Sequence, residues 1–113
     1  MKKYEIVKEK KEFNNLIKNA SYIKNEYYVI YHLPNEYNYR RFGIAISTKF
    51  GKANIRNFYK RRLRTIIDQN KKLFPNKEDY IIMIKRNCYK KSYKTLNESF
   101  MTLLKESFNE QKN

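Results

Sequence analysis

The sequence predicts an α+β protein, a two-layer sandwich in which helices pack against a small, mostly antiparallel sheet. Three observations carry this. Apolar residues recur at helical spacing near both ends of the chain and once in the middle, and between them short runs alternate with the period of a strand. The chain has 113 residues with only two Gly and two Pro, enough for one modest core. The order read from these patterns is helix, two or three strands, helix, strand, helix, with 1–113 as a single domain and 110–113 as a fraying tail.

Each element has its own signal. From Tyr4 to Asn19 a helix is expected, with Phe13, Leu16, Ile17 and Ala20 at i, i+3, i+4 and i+7. Tyr22 and Ile23 lead toward a strand. Tyr27 to Leu33 is a strand by composition, with Tyr27, Val29, Tyr31 and Leu33 on one face and Tyr28, Ile30 and His32 on the other. Turn residues from Pro34 to Asn38 end it. Arg40 to Ser47 forms the next strand; Phe42, Ile44 and Ile46 share one face, and Gly43, Ala45 and Ser47 leave the other open to close approach. The turn between these two strands predicts antiparallel neighbours. A glycine turn at Gly51 then feeds a helix reaching about Gln69. Asn70 to Asp79 reads as a loop, and Tyr80 to Arg86 as a strand apolar on both faces and hence central or covered. Ser92 is placed to cap a last helix carrying Leu96, Phe100, Leu103, Leu104 and Phe108.

Charge singles out the middle of the chain. The formal net charge is +15. Between Tyr37 and Ile67 stand Arg40, Arg41, Lys49, Lys52, Arg56, Lys60, Arg61, Arg62 and Arg64, with no Asp or Glu among them. On a helical wheel of about 100° per residue, with Ile55 at zero, Ile66, Tyr59, Leu63 and Ile67 fall between about 20° and 120°. Arg56, Lys60 and Arg64 follow at about 100°, 140° and 180°, and Asn57 and Arg61 carry the polar face to about 240°. One side can pack on a sheet while the other presents a line of cations. Arg62 points into the apolar arc and must bury its stem; Phe58 sits at the edge, placed either to finish the core or to meet a base. So much charge of one sign repels in the folded state and is relieved by a polyanion, above all a nucleic-acid backbone. A solvated charged face is the plainer alternative, and the length and single sign of this run argue against it.

Other classes find little support. No apolar run approaches membrane-spanning length, and Lys and Glu follow Met1-Lys2-Lys3 where a signal peptide needs an apolar segment. A lone cysteine, Cys88, provides no disulfide framework and suggests the cytoplasm. His32 is the only histidine, and no acidic cluster suggests a two-metal centre or any metal site. Glu78-Asp79, the one adjacent acidic pair, reads as a solvated loop. A nuclease acting through protein side chains is thus a weak reading. Eleven Tyr and seven Phe interleaved with cations suit single-stranded RNA, whose bases stack on exposed rings. A ribosomal or other structural RNA-binding protein would share these features.

With the elements placed, the chain resembles the protein component of bacterial ribonuclease P from about Tyr4 to Phe108. Gly51, Lys52, Ala53, Arg56, Asn57, Lys60, Arg61 and Arg64 stand where that family has its glycine turn and its Arg-Asn-Arg helix start continuing into Lys-Arg, and Lys49 fits the basic residue before the turn. Lys11-Glu12-Phe13, Leu33-Pro34-Asn35, Arg41 to Ser47, Ile82 to Arg86 and Ser92-Tyr93 resemble other family segments in the same order. Phe58 replaces the second Arg of the signature, Thr65 replaces a usual Glu, Ile17 replaces a common Phe, and Tyr80 stands where an Asp is usual, with Asp79 one step earlier.

The resemblance implies an αβββαβα sandwich with a left-handed βαβ crossover, against the general rule. It implies a non-catalytic protein cofactor of a catalytic RNA that uses Mg²⁺ bound mainly by the RNA to remove the 5′ leader of precursor tRNA. Lys49, Lys52, Arg56, Asn57, Lys60, Arg61, Arg62 and Arg64 are then expected to meet RNase P RNA. Phe13, Ile17, Tyr28, Tyr31 and Arg86 are expected at the leader cleft, with the protein itself a monomer.

Overall fold

The alternating runs join into one four-stranded sheet. In the computed structural model, which describes residues 1–7 and 10–108, the strands are β1 (Ser21–Lys24), β2 (Tyr28–Pro34), β3 (Arg41–Ala45) and β4 (Glu78–Ile84). The helices are α1 (Lys10–Asn19), α2 (Ala53–Gln69) and α3 (Tyr93–Phe108). The α+β class and the element order are therefore as expected; the tail expected at 110–113 lies outside the described residues.

The sheet order is β1-β2-β4-β3. β2 pairs antiparallel with β1 and with β4, whereas β3 pairs parallel with β4. The expected antiparallel pairing of the second and third strands is thus wrong, because β4 lies between them. The cause is legible in β4 itself. Tyr80 and Ile82 face one way and Ile81 the other, all fully buried, so this strand gains most by taking the centre. The chain leaving β2 is tied to the start of β4 by a hydrogen bond that the Asn35 amide donates to the Lys77 carbonyl, 2.8 Å, and then crosses to the far side of β4. The β3–α2–β4 segment joins two parallel neighbours as a βαβ crossover.

Two cores result. On one face, Tyr28, Ile30, Phe42, Tyr80 and Ile82 pack under Leu63, Ile66 and Ile67 of α2 and Leu96, Phe100 and Leu104 of α3. Burying each such aliphatic or aromatic side chain is worth about 1.5–3 kcal/mol. The other face holds Val7, Leu16 and Ile81 with half-buried Phe13, Ile17, Tyr31, Ala45 and Met83. Among the described residues it is covered by α1 together with Val7. Gly43 makes that cover possible: a Cβ there would lie 2.7 Å from Phe13 Cε2 and 2.7 Å from Ile81 Cδ1. The small face read in the sequence therefore accepts the ring of Phe13.

Three further expectations change. The first helix begins at Lys10, not Tyr4; Lys3–Glu5 is a 3₁₀ turn, Ile6 bridges Phe42 in parallel, and the Val7 amide donates to the Phe42 carbonyl at 2.8 Å. The apolar pair Ile6-Val7 gains more by lying along the open edge of β3, where Val7 is buried, than by helical turns surrounded by Lys and Glu. The last strand starts two residues early, at Glu78, and ends at Ile84, with Arg86 in the following 3₁₀ turn. Glu78-Asp79 is accordingly not a solvated loop. Asp79 is buried and takes two bonds from Arg41 (Nε–Oδ1 2.9 Å, Nη2–Oδ2 2.7 Å) and one from Asn35 Nδ2 (2.7 Å), while Glu78 lies 3.0 Å from His32 Nδ1. His32 has a structural partner here, diagonally across the β2–β4 pair, in which His32 opposes Tyr80 and Pro34 opposes Glu78.

Candidate nucleic-acid interface

The cationic surface is built by α2 and the turn that feeds it. Tyr59, Leu63, Ile66 and Ile67 are buried, and Ile55 packs beside them, as the wheel predicts. The remaining circumference shows Lys52, Asn57, Arg61 and Arg64 exposed and Arg56 and Lys60 half-buried. Among the described residues the ion pairs involve other cations: Arg41 with Asp79 and Glu12, His32 with Glu78, Lys71 with Glu5, and the terminal ammonium with Asp68 near the end of α2. No cation of α2 is matched by a carboxylate. The first turn of α2 carries no acidic residue, and no side chain caps its free amides. Its N-terminus thus adds partial positive charge to the same surface.

The turn is held by the cations around it. Ser47 Oγ accepts from the Lys49 amide at 3.1 Å, closing a 3₁₀ turn over Thr48–Phe50. Arg56 Nε donates to the Gly51 carbonyl at 3.1 Å, and Arg86 Nη1 donates to the Lys49 carbonyl at 3.0 Å. Arg56 therefore has a structural as well as an electrostatic task, and Arg86 belongs to the glycine turn. Arg62 does bury its stem: its guanidinium lies 4.7 Å from the Phe58 ring centre and donates through Nη1 to the Lys91 carbonyl at 3.2 Å.

The proposed cleft residues divide. Phe13, Ile17 and Tyr31 meet on the α1 face of the sheet. Tyr28 does not belong with them. It is 1% exposed on the opposite face, with its hydroxyl donating to the Leu96 carbonyl at 2.9 Å, and burial raises its pKa far above the ordinary value. Strand alternation separates residues 28 and 31 by three positions and hence onto opposite faces. Two residues not singled out from the sequence join Tyr31: Tyr22, its partner across the β1–β2 pair and 56% exposed, stands 5.9 Å from it ring to ring, and Lys24 Nζ lies 5.9 Å from the Tyr22 ring centre. Treating Tyr22-Ile23 as a full strand with period two would have found both.

Reactive chemistry is scarce on either face. Among the described residues no three His, Cys, Asp or Glu side chains come together as a metal-binding group. Cys88 is buried with its thiol 3.3 Å from the Tyr27 carbonyl, and burial pushes its pKa up to about 11. No helix among the described residues is long and apolar enough to cross a membrane.

Comparison with known proteins agrees with this geometry. The pattern of the Ribonuclease P family matches residues 1–107. The chain is 35% identical over 107 residues to the Ribonuclease P protein component of Mycoplasma mycoides, covering 94% of this chain and 98% of that one. It is 32% identical to that of Streptococcus pneumoniae, covering 95% and 87%. The fold is similar to that of the RNase P protein from Thermotoga maritima (TM-score 0.82, 30% identity, 90% of this chain and 96% of that one). It is also similar to the Staphylococcus aureus RNase P protein (TM-score 0.82, 25% identity, 91% and 94%). With its α2 cations unmatched by carboxylates among the described residues, its α1 face across the sheet from them and its fold shared, this chain belongs to the ribonuclease P protein family, the protein component of that ribonucleoprotein.

Proposed function

We propose that the chain is a non-catalytic partner that docks on RNase P RNA through α2 and its glycine turn and holds the 5′ leader of precursor tRNA on the α1 face of the sheet. The observation that carries the reading is the run of α2 cations with no carboxylate partner among the described residues. Such charges raise the energy of the isolated protein and are neutralised by phosphates, with release of counterions from the RNA. Lys52, Asn57, Lys60, Arg61 and Arg64 would make the outward contacts, with Lys49, Arg56 and Arg62 shaping and extending the surface.

The leader would lie along Phe13, Ile17, Tyr31 and Tyr22, where half-exposed rings can stack on unpaired bases and Lys24 can meet a phosphate. Because the two surfaces are on opposite faces of one sheet, occupying one leaves the other free. Mg²⁺ in this reading is held by the RNA, where it would supply the activated nucleophile for phosphodiester cleavage; among the described residues no three His, Cys, Asp or Glu side chains come together. The protein's part is to bind and position, as a monomer in the cytoplasm.

The test is cleavage of a precursor tRNA at low Mg²⁺ by the protein alone, by bacterial RNase P RNA alone, and by both. Activity only with both, leaving a mature 5′-phosphate end, is the expected result. Cutting by the protein alone would overturn the non-catalytic role, and absence of stimulation at every ratio would overturn the docking role.

A further inference from the structure

Beside the cation face of α2 lies an aromatic groove that the docking role above does not use. It is lined by Asn54, Ile55, Phe58, Tyr59, Tyr89 and Lys90, with Arg61 at its rim. Phe58 and Tyr89 are 43% and 42% exposed, high for large rings in a chain with an ample core. They stand on either side of Tyr59, whose buried ring is 5.2 Å from Phe58 and 6.3 Å from Tyr89. The arrangement is braced from below. The Tyr59 hydroxyl accepts from the Lys90 amide at 2.7 Å, fixing the segment after β4 on α2, and Lys90 takes a left-handed φ of 63° there. Phe50 packs edge-on against Tyr59 at 4.9 Å. Above, Arg62 covers part of Phe58 at 4.7 Å and is itself tied to the Lys91 carbonyl.

Resting on the reading that α2 docks on RNase P RNA, we propose that Phe58 and Tyr89 form a stacking site for an unpaired base of that RNA. An exposed ring held between a guanidinium and a second ring loses little freedom when a base stacks on it. Arg61 and Lys90 at the groove, with Lys52 and Arg86 in the adjoining groove around Gly51 and Tyr89, surround the rings with cations suited to the phosphates on either side of such a base. Asn54 adds an amide able to reach a base edge. Phe58 occupies the place of the second Arg in the family signature. Here, then, one ionic contact is exchanged for a stacking contact, and Arg62, one turn further on, holds the ring in place. The site lies on the α2 side of the sheet, which assigns the base to RNase P RNA; the leader surface is on the other side.

Affinity for RNase P RNA measured as a function of salt separates stacking from charge. Phe58→Leu and Tyr89→Leu are each expected to weaken binding roughly 5- to 150-fold, the loss of one base stack. The slope of log affinity against log salt should stay that of the unaltered protein, whereas losing a phosphate contact lowers it by about one. Phe58→Trp should retain affinity, and the melting curves of all three variants should match the parent, since both rings are half in solvent. Unchanged affinity in Phe58→Leu, or a loss that appears only with precursor tRNA, overturns the stacking site. Failure of the unaltered protein to bind RNase P RNA would instead overturn the docking role on which it rests.

Discussion

Lys60, Arg61 and Arg64 form a perturbation whose size follows from the structure. None of the three side chains donates to any group among the described residues, and the ion pairs of the protein lie elsewhere. Arg56 is excluded because it also holds the Gly51 carbonyl. Replacing all three by Ala removes three phosphate contacts and no internal one. At about 0.7–0.9 slope units per contact, the salt dependence of RNA binding should fall by about 2–3 units. Between 50 and 200 mM salt, the gap in affinity between parent and variant should therefore narrow by about 20- to 40-fold. Each substitution should alter stability by less than about 0.5 kcal/mol, and relief of repulsion favours the variant. Filter binding or fluorescence titration over that range, with urea unfolding alongside, is the assay. Parallel salt plots for parent and variant would refute the assignment, because the three cations would then face solvent even in the complex.

Other outcomes follow from the two cores. Gly43→Ala should cost about 1–3 kcal/mol, the usual range for overpacking, because the new methyl meets Phe13 and Ile81 at 2.7 Å; combining it with Phe13→Leu should recover part of the loss in urea titrations. Arg41→Ala leaves Asp79 buried without its main partner and should cost about 3–5 kcal/mol, while Arg41→Met with Asp79→Leu should cost less than that single change. Stability should fall as pH rises from about 8.5, because the thiol of the unfolded chain ionises first and that of folded Cys88 only near 11. Buried Tyr28, whose pKa is also raised, adds to the loss with the same sign. A thiol reagent at pH 8.5 should accordingly leave the native protein unmodified and label it in denaturant.

How far the sequence carried can be judged at particular residues. The face of α2 was legible because a 17-residue helix repeats its period often enough to average out the two misfits, Arg62 and Phe58. Short strands lack that redundancy. β1 has four residues, and without it Tyr22 and Lys24 had no assigned face. Pairing was harder still: the turn after Pro34 looks like a hairpin, and only competition for the sheet centre by a strand more than 40 residues later decides otherwise. The bidentate pair of Arg41 and Asp79 was hidden for the same reason, since parallel register alone brings residues 41 and 79 side by side. Tyr28 was a different kind of error. Its ring was chosen for chemistry while its own alternation pattern already put it on the face opposite Tyr31.

The carboxylates of this chain are few, and their placement bears on how RNA approaches. Glu26, Glu98 and Glu106 line one groove between α3 and the turn joining β1 to β2. α3 contacts β1, whereas α2 contacts the turn that follows β3, and β1 and β3 are the two edges of the sheet. These three carboxylates thereby lie toward one edge and the α2 cations toward the other, on the same side of the sheet. Net charge alone would draw a polyanion to the protein from any direction. This separation turns the attraction into a torque, which orients the protein within about a Debye length, ~8–10 Å at physiological salt, before any contact forms. The carboxylates beside α3 would thus turn a polyanion approaching that side away from the β1 edge and toward α2 at the β3 edge.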